Sequence, residues 1–512
     1  VFEFAGLLQG FEVAFTPVNL MWCLIGCLLG TAVGVLPGLG PAATIALLLP
    51  ISMKMGTPVT AIILMSGVFY GAMYGGSTTS ILLKLPGEAA SVVTCIDGYQ
   101  MARNGRAGAA LGVAAIGSFV AGTVGVIGMT MMAPPLAEAA LRFGPPEYFS
   151  LTVLGLLLAT YLTGESALKG LIMAVIGLIL GCVGLDPLSG AVRFDFGITA
   201  LQSNLDFVTL AMGLFGVGEI LYSLEKAGAA TLVTTRIERI FPTLADLARS
   251  KWAMVRGSVI GFLVGILPGG GAVLSSLVSY AVEKKASKHP EEFGKGAIEG
   301  VAGPESANNA AASSSFIPLL TLGIPGNAST AMIFAALLIH GITPGPFLIK
   351  EHADVFWGVV ASMYLGNVVL LILNLPLIGI WVQLLRVPYA FMAPMIMVLT
   401  LVGVYSVNNN AFDIWVMLFM GVCGYLARKL KFDLGPLLLA FVLGPIMERS
   451  LRQALLMSNG KADIFFTHPI SATLLAIAAL FVLYNLRLAW RKRREAGAGA
   501  QPQQEAPQPR KE

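Results

Sequence analysis

The 512-residue chain is 56% hydrophobic and only 12% charged, with a mean hydropathy of +0.80 and a formal net charge of +4. A soluble domain carries roughly 25% charged residues, so this chain cannot cover a water-facing surface and reads as an all-α integral membrane protein held in a lipid bilayer. Its basic residues fall in short clusters between apolar runs, so the net charge is no sign of nucleic acid and no nucleic-acid partner is expected, and Cys23, Cys27, Cys95, Cys182 and Cys423 show no metal or disulfide spacing.

Residues 1–16 mix Phe2, Phe4, Leu7, Leu8 and Phe11 with Glu3, Gln9 and Glu12, the pattern of a helix lying in the membrane interface. Residues 13–53 then carry no charge at all. As one helix they would run about 60 Å, twice a hydrocarbon core of about 30 Å. The stretch must break, and Leu36-Pro37-Gly38-Leu39-Gly40-Pro41 offers the break: proline removes a donor and glycine permits positive φ. Residues 306–349 are uncharged and overlong in the same way, interrupted at Gly323-Ile324-Pro325-Gly326-Asn327 and again at Gly341–Pro346.

These breaks repeat. Gly34–Gly40 and Gly265–Gly271 share five of seven residues at an offset of 231, and Gly26, Gly30 and Val33 match Gly257, Gly261 and Val264 in the same register. Pro86-Gly87-Glu88-Ala89 returns as Pro325-Gly326-Asn327-Ala328, at an offset of 239. The expectation is two internal repeats, taken as inverted by analogy with other two-half transporters, whose discontinuous helices are Pro-Gly-broken helices or hairpins.

Ordinary spans are expected near 57–83, 107–134, 148–164, 170–185, 205–223, 355–380, 388–411, 414–427 and 468–487, with a shorter segment at 434–457. With the broken stretches this makes about 12 membrane helices of ordinary spanning length. The organisation predicted is a first repeat with its following helices over 17–223, a basic cytoplasmic linker over 224–256, a second repeat with its following helices over 257–490, and a basic, disordered cytoplasmic tail over 491–512. Arg487, Arg491, Lys492, Arg493 and Arg494 put the C-terminus in the cytoplasm by the positive-inside rule, and alternation keeps Arg428-Lys429-Leu430-Lys431 on the same side.

Between the breaks lie Tyr70–Ser80 in the first half and Gly303–Ser315 in the second, both rich in small, hydroxyl and amide residues. Hydroxyls and amides in lipid need partners, so these stretches face a protein interior or a water-filled cavity. A helix broken in mid-membrane leaves its first N–H groups unpaired, and its dipole adds partial positive charge suited to a carboxylate. The candidate substrate-binding residues are therefore Gly38, Gly40, Ser77, Thr78, Thr79, Pro86, Gly87, Gly269, Gly270, Asn308, Asn309, Ser313, Pro325, Gly326 and Asn327, with Lys84 as the one basic residue inside a motif. Lys84 either meets a substrate carboxylate, pairs with Glu88 or snorkels to the interface. Asp97 and Glu305 are the nearest acids; each either couples an ion or caps a helix. On this reading Ser77→Ala and Asn308→Ala weaken uptake, and valine at Gly38 or Gly269 abolishes it.

Catalytic and nucleotide motifs are missing: there is no H-E-x-x-H, no G-x-S-x-G and no Walker A sequence, and His289, His340, His352 and His468 are dispersed. The chain is not expected to be an enzyme or to use a cofactor beyond a coupling ion, Na⁺ or H⁺.

The ordered set Gly34–Pro41, Tyr70–Gly87, Asp97-Gly98-Tyr99, Gly265–Gly271, Pro304–Ala311 and Leu322–Pro346 resembles the large membrane subunit (TctA) of tripartite tricarboxylate transporters, over nearly the whole membrane domain. The resemblance implies a bacterial inner-membrane secondary transporter that imports carboxylates such as citrate on a Na⁺ or H⁺ gradient. It implies a small membrane subunit (TctB-like) and a periplasmic solute-binding protein (TctC-like) that delivers substrate. The family's Pro-Gly motifs fall on Pro37-Gly38, Pro86-Gly87, Pro268-Gly269 and Pro325-Gly326, and its Glu-x-x-Asn-Asn segment on Glu305, Asn308 and Asn309. Lys84 departs from the family pattern, which usually has Asn there. A stand-alone anion symporter or exporter is the alternative.

Overall fold

The computed structural model describes residues 4–36, 40–162, 166–186, 188–226, 240–269, 271–385 and 389–498. The chain opens with α1 (Phe4–Ala14), α2 (Pro17–Val35), α3 (Pro41–Ser52) and α4 (Pro58–Leu83). Proline stands at the start of α2, α3 and α4, where its missing N–H costs nothing and its fixed φ suits the first turn. A 3₁₀ turn (Ala89–Val92) leads into α5 (Thr94–Arg103), α6 (Ala107–Ala140), α7 (Pro145–Leu162) and α8 (Ala167–Gly181). A small antiparallel hairpin, β1 (Gly184–Leu185) with β2 (Val192–Arg193), precedes α9 (Phe207–Ala211), which passes through a π-helical stretch at Met212–Val217 into α10 (Gly218–Lys226).

The second half begins with α11 (Leu244–Gly265), α12 (Gly271–Ala286), α13 (Glu299–Ser314), α14 (Phe316–Leu322) and α15 (Ala328–Ile339). It continues through α16 (Leu348–Glu351), α17 (Ala353–Asn374), α18 (Ile378–Leu384), α19 (Tyr389–Asn408), α20 (Ala411–Lys429), α21 (Gly435–Met457), α22 (Ile464–Thr467) and α23 (Pro469–Ala498). Six described stretches are long and apolar enough to cross a bilayer alone: Pro17–Val35, Pro58–Leu83, Ala107–Ala140, Phe207–Glu225, Ala353–Asn374 and Ala411–Lys429. Others, such as Pro41–Ser52 and Ala328–Ile339, are apolar but only 10–17 residues long. The uncharged sequence thus divides into full spans and short helices, because the glycine and proline breaks cut it before a span is complete. Residues 244–256, expected in the linker, belong to α11; their Arg256 pairs with Glu283 and Arg249 with Glu292 and Glu299. Residues 227–239 of that linker lie outside the described residues, as does the tail from 499 onwards; α23 takes up 491–498.

The centre is formed by α4 and α13, both buried along essentially their whole length. Each packs on a glycine-bearing partner at backbone contact distance. A Cβ at Gly26, Gly30 or Gly34 of α2 would lie 2.5, 2.5 or 2.3 Å from the carbonyl oxygens of Leu64, Val68 and Ala72. At Gly257, Gly261 and Gly265 of α11 it would lie 2.3, 2.2 and 2.6 Å from those of Gly303, Ala307 and Ala311. Only glycine leaves room for such approach, and close backbone contact is what holds helices together where lipid offers no hydrophobic drive. The third wall is α17. Cys23 and Cys27 donate to the carbonyls of Ser362 and Gly366, and Asn367 Nδ2 donates to Phe119 O at 2.8 Å while its Oδ1 accepts from the Tyr74 hydroxyl. α1 lies along α17, with Gly6 and Gly10 against Trp357.

Candidate functional site

All four chain interruptions meet at one cavity. α2 ends at Val35 and α3 starts after Gly40; α4 ends on Lys84 in the left-handed region and the chain turns through Pro86-Gly87. α11 ends at Gly265 and α12 starts at Gly271; α14 ends on left-handed Gly323 and α15 starts after Asn327. A cavity of about 340 Å³ is lined by Gly40–Ala43, Pro86–Ala89, Gly271–Val273 and Asn327–Ser329, one segment from each interruption. The first turns of α3, α12 and α15 therefore border the same space, and each brings unpaired N–H groups and the positive end of its dipole. Asn327 caps α15, its Oδ1 accepting from Thr330 N at 2.9 Å while Thr330 Oγ1 accepts from Asn327 N at 2.9 Å.

The remaining wall is Phe69 and Met73 of α4, Phe215 of the π-helical stretch, Glu219 of α10 and Arg428 of α20. Arg428 pairs with Glu219, and its buried Nε–H has no hydrogen-bond partner among the described residues. A guanidinium with a spare donor is the group best shaped to receive a carboxylate.

The turns are tied to one another. Gly269 N donates to Gly326 O at 2.7 Å, and Gly269 has φ +87°, with Ala159 Cα 2.3 Å from where a Cβ would stand. A Cβ at Gly87 would lie 2.0 Å from Gly34 O. The Thr79 hydroxyl donates to Val35 O and so satisfies the end of α2.

Behind Gly87 sits a buried polar cluster. Glu88 Oε2 accepts from Ala90 N at 2.6 Å, and its Oε1 accepts from Asn308 Nδ2 at 3.0 Å. Glu305 Oε1 accepts from the Thr94 hydroxyl. A second, larger cavity of about 710 Å³ touches Leu322–Ile324, while the smaller one touches Asn327–Ser329. Only Pro325-Gly326, both buried, separates the two sets of lining residues along the chain. Arg449, Asp206 and Glu351 are its charged groups, but its wall is mainly apolar and draws on one interruption rather than four.

A family model described as the tripartite tricarboxylate transporter TctA family matches residues 20–439. The chain belongs to that family. An uncharacterized 52.8 kDa protein of the TAR-I ttuC' 3' region of Agrobacterium vitis is 52% identical over 491 residues, covering 96% of this chain and 98% of the relative. A second Agrobacterium vitis protein, from the TAR-II ttuC' 3' region, is 52% identical over 235 residues, 46% of this chain and 97% of its own. No solved structure matches. As a TctA-family member the chain is a multi-pass membrane protein and a component of a tripartite tricarboxylate transporter, a transporter rather than an enzyme.

Of the residues singled out by sequence, Gly40, Pro86, Gly87 and Asn327 line the cavity. Gly269 and Gly326 fix its turns from behind, and Pro325 is buried between the two cavities. Gly38 and Gly270 lie outside the described residues. The hydroxyl and amide stretches turn inward to the helix packing instead. Ser77 donates to Tyr74 O in its own helix at 2.8 Å, Ser313 to Asn309 O, and Asn309 Nδ2 to Ser118 Oγ of α6 at 2.7 Å; Thr78 and Thr79 are buried and not in the lining. Lys84 is exposed, caps α4, holds its Nζ 5.7 Å from the Tyr99 ring centre, and is not among the residues lining the cavity. Asp97 is wholly buried, with Oδ1 accepting from the N–H groups of Gly294, Gly296 and Ala297 and Oδ2 from the Tyr280 hydroxyl. Those four bonds make it the anchor of the 294–297 turn. Sequence reasoning missed Glu88, Phe215, Glu219 and Arg428. An acid at position 219 inside an apolar run was the available signal, and Arg428 was hidden in a basic cluster read as a topology marker.

Proposed function

We propose that this chain is the large subunit of an ion-gradient-driven importer of di- and tricarboxylates such as citrate, taking substrate from a periplasmic binding protein beside a small membrane subunit. The observation that carries the reading is the cavity bordered by all four Pro-Gly interruptions with Arg428 in its wall. One carboxylate meets Arg428 as a charge-assisted pair, and the others meet the first turns of α3, α12 and α15. A volume of about 340 Å³ has room for on the order of ten water-sized groups, which suits a small polycarboxylate and not a peptide.

The two halves are read as inverted repeats, with α2–α4 corresponding to α11–α13. The matching glycine contacts support the duplication: contact partners shift by 231 on one helix and 239 on the other, the two offsets of the sequence motifs; the inversion is taken by analogy with other two-half transporters. The Gly323–Asn327 turn stands between the two cavities, so movement of that turn would pass substrate from one to the other. The C-terminus is read as cytoplasmic and the membrane as the bacterial inner membrane.

Uptake of labelled citrate and smaller carboxylates into vesicles carrying this chain with its two partner subunits tests the reading. Accumulation under an imposed Na⁺ or H⁺ gradient that requires the binding protein is the expected result. Uptake indifferent to the binding protein supports a stand-alone symporter, and no carboxylate movement under either gradient overturns the substrate class.

A further inference from the structure

One turn of α13 carries a buried carboxylate, Glu305, and holds a second, Glu88, through the Asn308 amide, and neither meets a cation among the described residues. Glu88 lines the cavity and is 8% exposed; Glu305, on α13, is wholly buried. Among the described residues no ion pair reaches either of them. Of the charged groups on the helices around α13, Arg103, Lys251, Lys284 and Lys285 are exposed, and the nearer ones are engaged elsewhere. Asp97 is saturated by the 294–297 turn and Tyr280, Glu283 is held by Arg256 at 2.5 Å, and Lys84 lies over Tyr99.

Two acceptors in this cluster are left over. Glu305 Oε2 and Asn308 Oδ1 are both buried with no hydrogen-bond partner. They belong to wholly buried residues three apart on α13, and so lie on one face of the helix. The orientation of the Asn308 amide follows from an ionised Glu88. With Glu88 ionised, its Oε1 accepts from Nδ2 at 3.0 Å, which leaves Oδ1 as the free end. Two unpaired oxygens, one of them Glu305's own carboxylate oxygen and the other on the amide bonded to Glu88, form a site for positive charge. Among the described residues no group of three or more His, Cys, Asp or Glu is suited to a metal, and hard divalent cations ask for more carboxylate than this.

We propose that Glu305 Oε2 and Asn308 Oδ1, with Glu88, hold the coupling cation, a monovalent ion that is either a proton or Na⁺. The proposal rests on the importer reading and deepens it. Glu88 joins the two sites, because it touches the cavity on one side and Asn308 on the other. An anionic substrate beside an uncompensated Glu88 is repelled; a cation bound behind Glu88 removes that repulsion. Cation and carboxylate therefore bind more tightly together than apart, and by linkage each raises the other's affinity. The position opposite is kept bare for the glutamate: a Cβ at Gly76 would stand 2.7 Å from Glu88 Cγ.

The test needs no carboxylate. The thermal midpoint of the purified full-length chain is measured in NaCl against choline chloride at equal ionic strength, and from about pH 5.5 to about pH 8.5. The wild type should gain a few degrees from either Na⁺ or protons. Glu305→Gln should lose that gain, Asn308→Ala and Glu88→Gln should lose most of it, and Lys84→Gln should keep it. If Glu305→Gln does not fold, Glu305→Asp and Asn308→Ala carry the same comparison. A wild type that responds to neither cation, or a Glu305→Gln that responds as the wild type does, overturns the proposal. In vesicles, Glu305→Gln should still exchange internal for external labelled citrate but no longer accumulate it on a gradient. Gradient-driven accumulation by that variant refutes the cation site and leaves the importer standing. Absence of citrate movement in the wild type, with its cation response intact, refutes the importer's substrate instead.

Discussion

Replacing Arg428 with glutamine removes the cavity's only lining cation among the described residues. Its guanidinium already spends one Nη on Glu219, and the spare Nε–H is what a substrate carboxylate gains. A charge-assisted hydrogen bond is worth roughly 1.5–3 kcal/mol. At about 1.4 kcal/mol per factor of ten, the substrate concentration for half-maximal uptake should rise about 10- to 150-fold. Arg428→Lys keeps the charge but loses the planar fork, and should fall between wild type and glutamine. The assay is initial uptake of labelled citrate in vesicles with the partner subunits, at saturating coupling ion. Arg428→Gln also removes the cation paired with Glu219, so the double variant Arg428→Gln/Glu219→Gln separates the roles. If the arginine only neutralises Glu219, the double variant recovers wild-type half-saturation, and that recovery would falsify its assignment as substrate ligand.

Glycine substitutions should divide sharply by position. Gly40→Ala is tolerated, since a Cβ there meets nothing within 4 Å, whereas Gly87→Ala, 2.0 Å from Gly34 O, should lower both folded yield and uptake. Gly261→Val sets a side chain 2.2 Å from Ala307 O and pushes α11 off α13; a loss of about 1–3 kcal/mol or more should show as a lower thermal midpoint in detergent. Ser77→Ala, whose hydroxyl bonds only to its own helix, should leave uptake within about twofold, because surrendering a local back-bond costs little. Asn308→Ala, which strips Glu88 of its amide donor, should lower uptake while the chain still inserts. In the hairpin, the Ser189 hydroxyl and the Arg452 guanidinium hold the Asp186 carboxyl well below the usual carboxylate range. A depressed carboxylate contributes its full stability above about pH 4 and loses it only as pH falls through the lowered value. Limited proteolysis of residues 184–193 should therefore be alike at pH 7 and pH 5, and faster at both in Asp186→Asn.

The interruptions were legible because they follow from arithmetic on one stretch of chain. An uncharged run from 13 to 53 cannot be one span, and Pro37, Gly38 and Gly40 are the residues able to end it. The pairing of Gly26, Gly30 and Gly34 with Gly257, Gly261 and Gly265 was visible for the same reason, although their purpose as backbone contact points was not. Membrane class, chain breaks, the recurrence of the motifs and the family were thus local or additive properties, available to anyone who counts charge, length and spacing.

Which polar groups face the cavity was decided only by tertiary structure. A Ser, Thr or Asn in an apolar run must find a partner, but sequence does not say whether that partner is a ligand, its own helix or another helix. Ser77, Asn309 and Ser313 found helices, and Asp97 found a turn some 200 residues away in sequence. Glu88 meets Asn308 across 220 positions, and Arg428 meets Glu219 from a cluster whose charge first spoke only of topology. Charge, hydrophobicity and chain breakage are written residue by residue. The direction in which a buried polar atom points depends on which helix packs against it, and that is fixed only when the whole bundle closes.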